Sequence, residues 1–179
     1  KNLLLKKILK QDDVGNVLVF SKTKHGANRI VQYLDNESIK VAAIHGNKSQ
    51  AAREKALNGF RSGDLQVLVA TDIAARGIDV PGISHVINFD IPIDPESYVH
   101  RIGRTARAGK EGNAITFCDP SEKSLLRAVE KVIRYSIPVD DTHPMHGVES
   151  SSSYSSNPRF TNSDRSRSSS RSASTIAAN

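Results

Sequence analysis

Five short apolar runs rich in β-branched residues recur along the chain, each followed by a segment of helical spacing or by turn residues. They are "NVLVF" (16–20), "VAAIH" (41–45), "QVLVAT" (66–71), "HVINFD" (85–90) and "NAITFC" (113–118). Strands that read as nearly continuous apolar runs are buried on both faces, and their alternation with helices predicts an α/β fold: an open, mostly parallel sheet with helices on both faces. Helical spacing or helix-start chemistry marks 24–36, 50–61, 95–102 and 121–134. Ser49 can cap the second of these, and Asp94 followed by Pro95 gives the third an acceptor and a first-turn proline. "KNLLLKKILK" at the start is too short and too interrupted by lysine for a secretory signal; it reads as an amphipathic helix or a linker. A first residue of Lys rather than Met suggests a piece of a longer protein.

At 179 residues one well-buried domain plus a tail is the first expectation. From Ser150 the sequence is mostly Ser, Asn, Arg and Thr, with too few apolar groups to offset the entropy of ordering. The expected division is a domain over 1–137 and a disordered Ser/Arg-containing tail over 138–179. Four arginines balance four acids in that tail, so the whole formal charge of +6 falls on residues 1–137. A basic folded surface fits a polyanion such as nucleic acid, although many inert domains share the bias. Cys118 is the single cysteine, which excludes an intrachain disulfide and a two-cysteine metal site and favours a reducing, intracellular setting. No apolar run approaches membrane-spanning length.

In open parallel sheets ligands gather at the carboxyl ends of the strands. The unusual residues follow the strands here: "SKTK", "HGNKSQ" and "TDIAARGID" after the first three, and "HRIGRTAR" in the helix after the fourth. Thr71 and Asp72 can be plain helix caps, or Thr71 and neighbouring N–H groups can bind phosphate while Asp79 accepts a ribose hydroxyl. Gln50 and Arg53 share a helix face, which reads either as an ordinary polar surface or as a phosphate contact beside Gly46, where a nucleic-acid backbone can approach. Lys22, Thr23 and Lys24 suit a solvated loop as well as a phosphate contact. In "YVHRIGRTARAG" (98–109), Arg101, Arg104 and Arg107 recur at spacing three, while Gly103 weakens the helix and Gly109 stops it. Arginine's planar fork matches phosphate oxygens, and His100 is either a hydrogen-bonding spacer or a packed residue. No carboxylate pair, Ser/His/Asp set or metal-ligand set is apparent.

The order and spacing of these strings resemble the second RecA-like domain of DEAD-box RNA helicases. "VLVFSKTK" resembles motif IV, "HGNKSQAAR" motif IVa, "VLVATDIAARGIDV" motif V and "HRIGRTAR" motif VI. The segments "KTKHGAN" and "AAIHGNKSQ" are most similar to the bacterial RhlE-like branch. The resemblance covers about residues 1–137. It implies that Thr23, Gly46, Arg53 and Thr71 contact the RNA backbone, and that Gly77 and Asp79 lie against the ATP ribose. Arg104 and Arg107 are implied to be arginine fingers to the γ-phosphate, and His100 and Arg101 to couple the ATP and RNA sites. "GRTAR" departs from the family's usual "GRTGR" at Ala106. No G-x-x-x-x-G-K-[ST] loop and no "DEAD" string occurs. The resemblance therefore implies the C-terminal half of a cytoplasmic helicase, inactive alone, with Mg²⁺ held by an N-terminal RecA-like domain. Rival readings are a non-catalytic RNA-binding module and half of a DNA translocase.

Overall fold

The computed structural model describes residues 1–78, 80–105 and 112–140. Asp79, Ala106, Arg107, Gly109 and the tail from residue 141 lie outside them. The described residues fall within one compact unit, Lys1–His143.

Its elements run α1 (Asn2–Leu9), β1 (Asn16–Phe20), α2 (Lys24–Asn36), β2 (Val41–Ile44), α3 (Gln50–Ser62), β3 (Val67–Ala70), α4 (Asp72–Ala75), β4 (Ile83–Asn88), α5 (Pro95–Ile102), β5 (Asn113–Thr116), a 3₁₀ turn (Pro120–Glu122) and α6 (Lys123–Ile133). The strands form one sheet in the order β2-β3-β1-β4-β5, and every pairing is parallel. The expected fold class is therefore observed. The basic opening segment is helix α1, with Leu5 and Leu9 buried.

Pleating sends alternate residues of each strand to opposite faces. Val17, Val19, Val67, Val69 and Ile87 pack with Leu5, Leu9, Ala27, Ile30 and Leu34, so α1 and α2 cover one face. Leu18, Phe20, Leu68, Ala70 and Val86 pack with Ala56, Phe60, Ala74 and Ala75, so α3 and α4 cover the other. A smaller cluster of Ile91, Tyr98 and Val129 joins α5 to α6. Each fully buried large aliphatic or aromatic side chain contributes roughly 1.5–3 kcal/mol relative to an exposed one.

Strand boundaries differ from the sequence reading where polar side chains have other partners. β3 stops at Ala70 because Thr71 takes the N-cap position of α4. β4 begins two residues early, at Ile83, and bulges opposite Asn16 and Val17 so that Ser84 is skipped. The Ile83 carbonyl accepts from the Thr105 hydroxyl at 2.7 Å, which ties the end of the "HRIGRT" segment to the first residue of β4.

Candidate functional site

Three loops meet at the carboxyl edge of neighbouring strands. Thr23 follows β1 and caps α2, its hydroxyl accepting from the Gly26 N–H at 2.9 Å. Gly46 follows β2 and is exposed, and a Cβ built on it would meet nothing within 4 Å. Neither packing nor a left-handed backbone demands glycine there, so the open surface itself is what glycine provides. Ser49, accepting from Ala52 N–H at 3.2 Å, caps α3 and places Arg53 one turn in. Arg53 reaches across to α4, one terminal nitrogen 3.4 Å from the Ala74 carbonyl, and its Nε is buried with no hydrogen-bond partner among the described residues. Gln50, by contrast, donates to Glu54 at 2.8 Å and stays on the exposed surface.

The cap reading of Thr71 and Asp72 holds only by position. Thr71 precedes α4, yet its hydroxyl makes no cap hydrogen bond. The Asp72 carboxylate is turned to Arg101 instead, accepting from Nε at 2.6 Å and from a terminal nitrogen at 2.8 Å. This fork-to-fork pair is the geometry for which guanidinium is suited and ammonium is not. The other terminal nitrogen of Arg101 donates to the Asn88 side-chain oxygen at 3.0 Å and the Asp90 carbonyl at 2.8 Å, and the guanidinium carbon lies 4.9 Å from the centre of the Phe20 ring. Arg101 is 2 % exposed, so it is a strut inside the domain and not an arginine awaiting an anion. His100, the other residue expected to couple the sites, is exposed on α5.

Helix α5 follows β4, and Arg101 in its last turn reaches Asn88 and the Asp90 carbonyl at the carboxyl end of that strand. Asp94 caps the helix, accepting from Glu96 N–H and from the Ser97 hydroxyl, which holds its carboxyl below the ordinary carboxylate value. Gly103 closes the helix, so Arg104 projects from its end, as its sequence position suggested. The fourth cluster meets the third directly, through Arg101 on Asp72 and through Arg104, which donates to the Ile78 carbonyl at 2.9 Å, while Thr105 reaches Ile83 at the start of β4. Gly77, with φ of 78°, makes the turn just before Ile78, a conformation in which a side chain is strained. The chain thus brings Arg104 beside Gly77 and the residue preceding Asp79; Asp79 and Arg107 lie outside the described residues.

Sequence reasoning passed over four residues that organise this edge. Asn88 is fully buried and links Arg101 to the Thr116 hydroxyl. The Asp90 carboxylate accepts from Lys22 N–H at 2.9 Å and Ser21 hydroxyl at 3.2 Å. Asn28 joins the His45 ring. Lys1 meets Asp90, Asp119 and Glu122. The available signal was Asn and Asp inside the apolar run "HVINFD", since a buried polar residue needs a partner. Among the described residues no group of His, Cys, Asp and Glu could hold a metal ion, and no helix is long and apolar enough to cross a membrane.

A five-stranded all-parallel sheet covered by helices on both faces is the arrangement of the RecA-like helicase C-terminal domain. Residues 1–109 match the family model described as helicase conserved C-terminal domain. The chain belongs to that family, as a C-terminal domain of the DEAD-box kind. It is 52% identical over 117 residues to the DEAD-box ATP-dependent RNA helicase CshA of Bacillus subtilis, a match covering 65% of this chain and 24% of that protein. It therefore spans about a quarter of that relative's length. The E. coli DEAD-box protein SrmB, solved bound to regulator of ribonuclease activity A, superposes with a TM-score of 0.74 at 39% identity, covering 78% of this chain and 84% of that one. S. cerevisiae Dbp5 bound to RNA and ADP BeF3 superposes with a TM-score of 0.70 at 34% identity over 78% of this chain and 39% of that one.

Proposed function

We propose that this domain is the RNA-gripping, γ-phosphate-facing half of an ATP-dependent RNA helicase whose other half is an N-terminal RecA-like domain of the same protein. The observation that carries the reading is the forked Arg101–Asp72 pair. It joins "HRIGRTAR", assigned to ATP, to the start of α4 beside Thr71, assigned to RNA. Thr23, Gly46, Arg53 and Thr71 take the sugar-phosphate backbone, which makes binding independent of sequence. The uncapped hydroxyl of Thr71 has hydrogen-bonding capacity left for such a ligand.

Gly77 and Asp79 border the ribose, and Arg104 and Arg107 reach the γ-phosphate. Residues 77–79 and Arg104 fit a nucleotide in one respect: the Ile78 carbonyl holds the guanidinium beside the segment that would meet the sugar. ATP supplies the phosphoryl group whose developing charge the two arginines stabilise. The partner domain holds Mg²⁺ and the remaining phosphates. His100 and Arg101 transmit between the two ligands. The lone Cys118 and the bacterial relatives fit a cytoplasmic setting. The Bacillus subtilis relative named above bears the CshA name, and the RhlE-like wording of "KTKHGAN" is a proposal about branch alone.

Joined to its N-terminal domain, the protein should hydrolyse ATP faster when single-stranded RNA is added, and should unwind duplex RNA in preference to duplex DNA. Arg104→Ala should lower kcat by about 10³-fold, the scale of an arginine finger, while RNA affinity stays within twofold. Unchanged turnover would sink the finger assignment, and equal unwinding of DNA would favour a translocase. The domain is proposed to end near residue 137, with the remainder a solvated tail. Deleting residues 138–179 should then leave the melting temperature unchanged, and a cooperative loss of stability would refute that division.

A further inference from the structure

We propose that His45 is a positioning residue for RNA: its neutral ring holds the turn that presents Gly46. The role rests on the reading of Gly46 as an RNA contact. His45 follows β2 and is 2 % exposed. Its Nδ1 lies 3.3 Å from the backbone nitrogen of Asn47. A backbone N–H can only donate, so Nδ1 carries no proton and the ring hydrogen sits on Nε2. Nε2 lies 2.9 Å from the Asn28 side-chain oxygen on α2, an acceptor that matches that hydrogen. The His45 carbonyl accepts from Lys48 N–H at 2.9 Å and closes the turn a second time. Lys24 then reaches the Asn47 side-chain oxygen at 3.3 Å from the first residue of α2.

One ring thus braces residues 46–48 from below and fastens them to α2, while the upper side at Gly46 is open. The ring serves as acceptor at Nδ1 and donor at Nε2, a pairing that the neutral imidazole provides and the imidazolium, a donor at both nitrogens, does not. Protonating Nδ1 would set an N–H against the Asn47 N–H and release the turn. The charged or titratable groups around the ring are Lys24 and His25 of α2 and Lys48 of the turn, all cationic or able to become so. Burial, with these charges, keeps His45 below its ordinary value of 6.5, and the brace therefore persists into mild acid.

The test uses the full 179-residue chain labelled with ¹⁵N. Imidazole spectra should show the Nε2–H tautomer at neutral pH, and titration with a single-stranded oligouridylate should move the Gly46 and Asn47 amide signals. His45→Asn keeps an acceptor where Nδ1 stands and should bind within about twofold of wild type. His45→Gln, which keeps a donor nearer the Nε2 position, should weaken binding about tenfold, the worth of one hydrogen bond to a charged phosphate. An Nδ1–H tautomer, or equal RNA affinity in the two variants, would overturn the proposal. If the wild-type Gly46 and Asn47 signals do not respond to RNA while RNA moves others, the Gly46 assignment fails and the role goes with it, whatever the tautomer.

Discussion

At the residue scale the site separates charges by what they touch. Three arginines at spacing three read alike in sequence, yet Arg101 is sealed inside against Asp72, Asn88, the Asp90 carbonyl and Phe20, while Arg104 projects past Gly103 to Ile78. Their division depends on Asp72 and Asn88, 29 and 13 residues away, which no spacing rule could supply. Arg101→Lys keeps the charge but loses the fork, and should lower unfolding free energy by on the order of 2–3 kcal/mol; the half-exposed Asp72 limits the cost below that of a fully buried pair. Urea denaturation checks this, and a change under 0.5 kcal/mol would mean the strut is not structural. The two glycines of the proposed site should part in the same way. Gly77→Ala forces a side chain into φ of 78° and should cost roughly 1–2 kcal/mol. Gly46→Ala meets nothing within 4 Å and should leave stability unchanged while weakening RNA binding, readable by paired melting and oligonucleotide titration.

At the scale of elements, strands and most helix starts were legible because their causes are local. Runs such as "VLVF" form strands, and Ser49 and Asp94 cap the helices that follow them as read, while Thr23, read as a loop or phosphate contact, also caps α2. What was not legible arises between elements: the early start of β4, set by the bulge and by Thr105, and the release of His45 from β2 by Asn28 and Asn47. Ser49→Ala should cost about 1 kcal/mol through the lost cap, and should weaken RNA binding more than that loss of fold explains, because Arg53 sits in the first turn of α3. The β2–α3 turn also predicts a pH dependence. His45 binds its proton less readily folded than unfolded, so the unfolded chain takes up more protons as pH falls below 6.5. Its contribution is complete above 6.5 and declines as pH drops towards the lower folded value. A stability profile from pH 7.5 to 5 should flatten in His45→Asn, and an unchanged slope would assign the acid sensitivity elsewhere.

At the scale of the whole domain, one cation closes the chain on itself. Lys1 Nζ pairs with Glu122, lies 3.1 Å from Asp119 and 3.8 Å from Asp90, and stands 5.8 Å from the centre of the Phe89 ring. Glu122 in turn accepts from the Ile91 and Asp119 N–H groups, and Asp90 accepts from the loop after β1 that carries Thr23. The first residue of the chain is thus tied to three segments along the edge that carries the proposed site. Burial alone would lower the Lys1 pKa, but hydrogen bonds and attraction from Glu122 and Asp119 outweigh it and raise the group above its ordinary value of 10.5. A raised folded value means that the stabilisation is complete below 10.5 and is lost as pH climbs through the folded value. Lys1→Met keeps the aliphatic stem, removes the charge and leaves three carboxylates facing one another. The variant should be less stable than wild type at pH 7, and the gap should narrow at pH 11, above the ordinary value of 10.5, where the unfolded chain gives up the proton more readily than the folded one. The Lys6–Glu37 pair titrates identically in both proteins and cancels from the difference. Added salt should also shrink the gap, though less than for an exposed pair, since the Lys1 side chain is only 14% exposed. Urea unfolding at pH 7 and 11 gives the comparison directly, and a gap independent of pH would show that Lys1 holds the edge through packing and not charge.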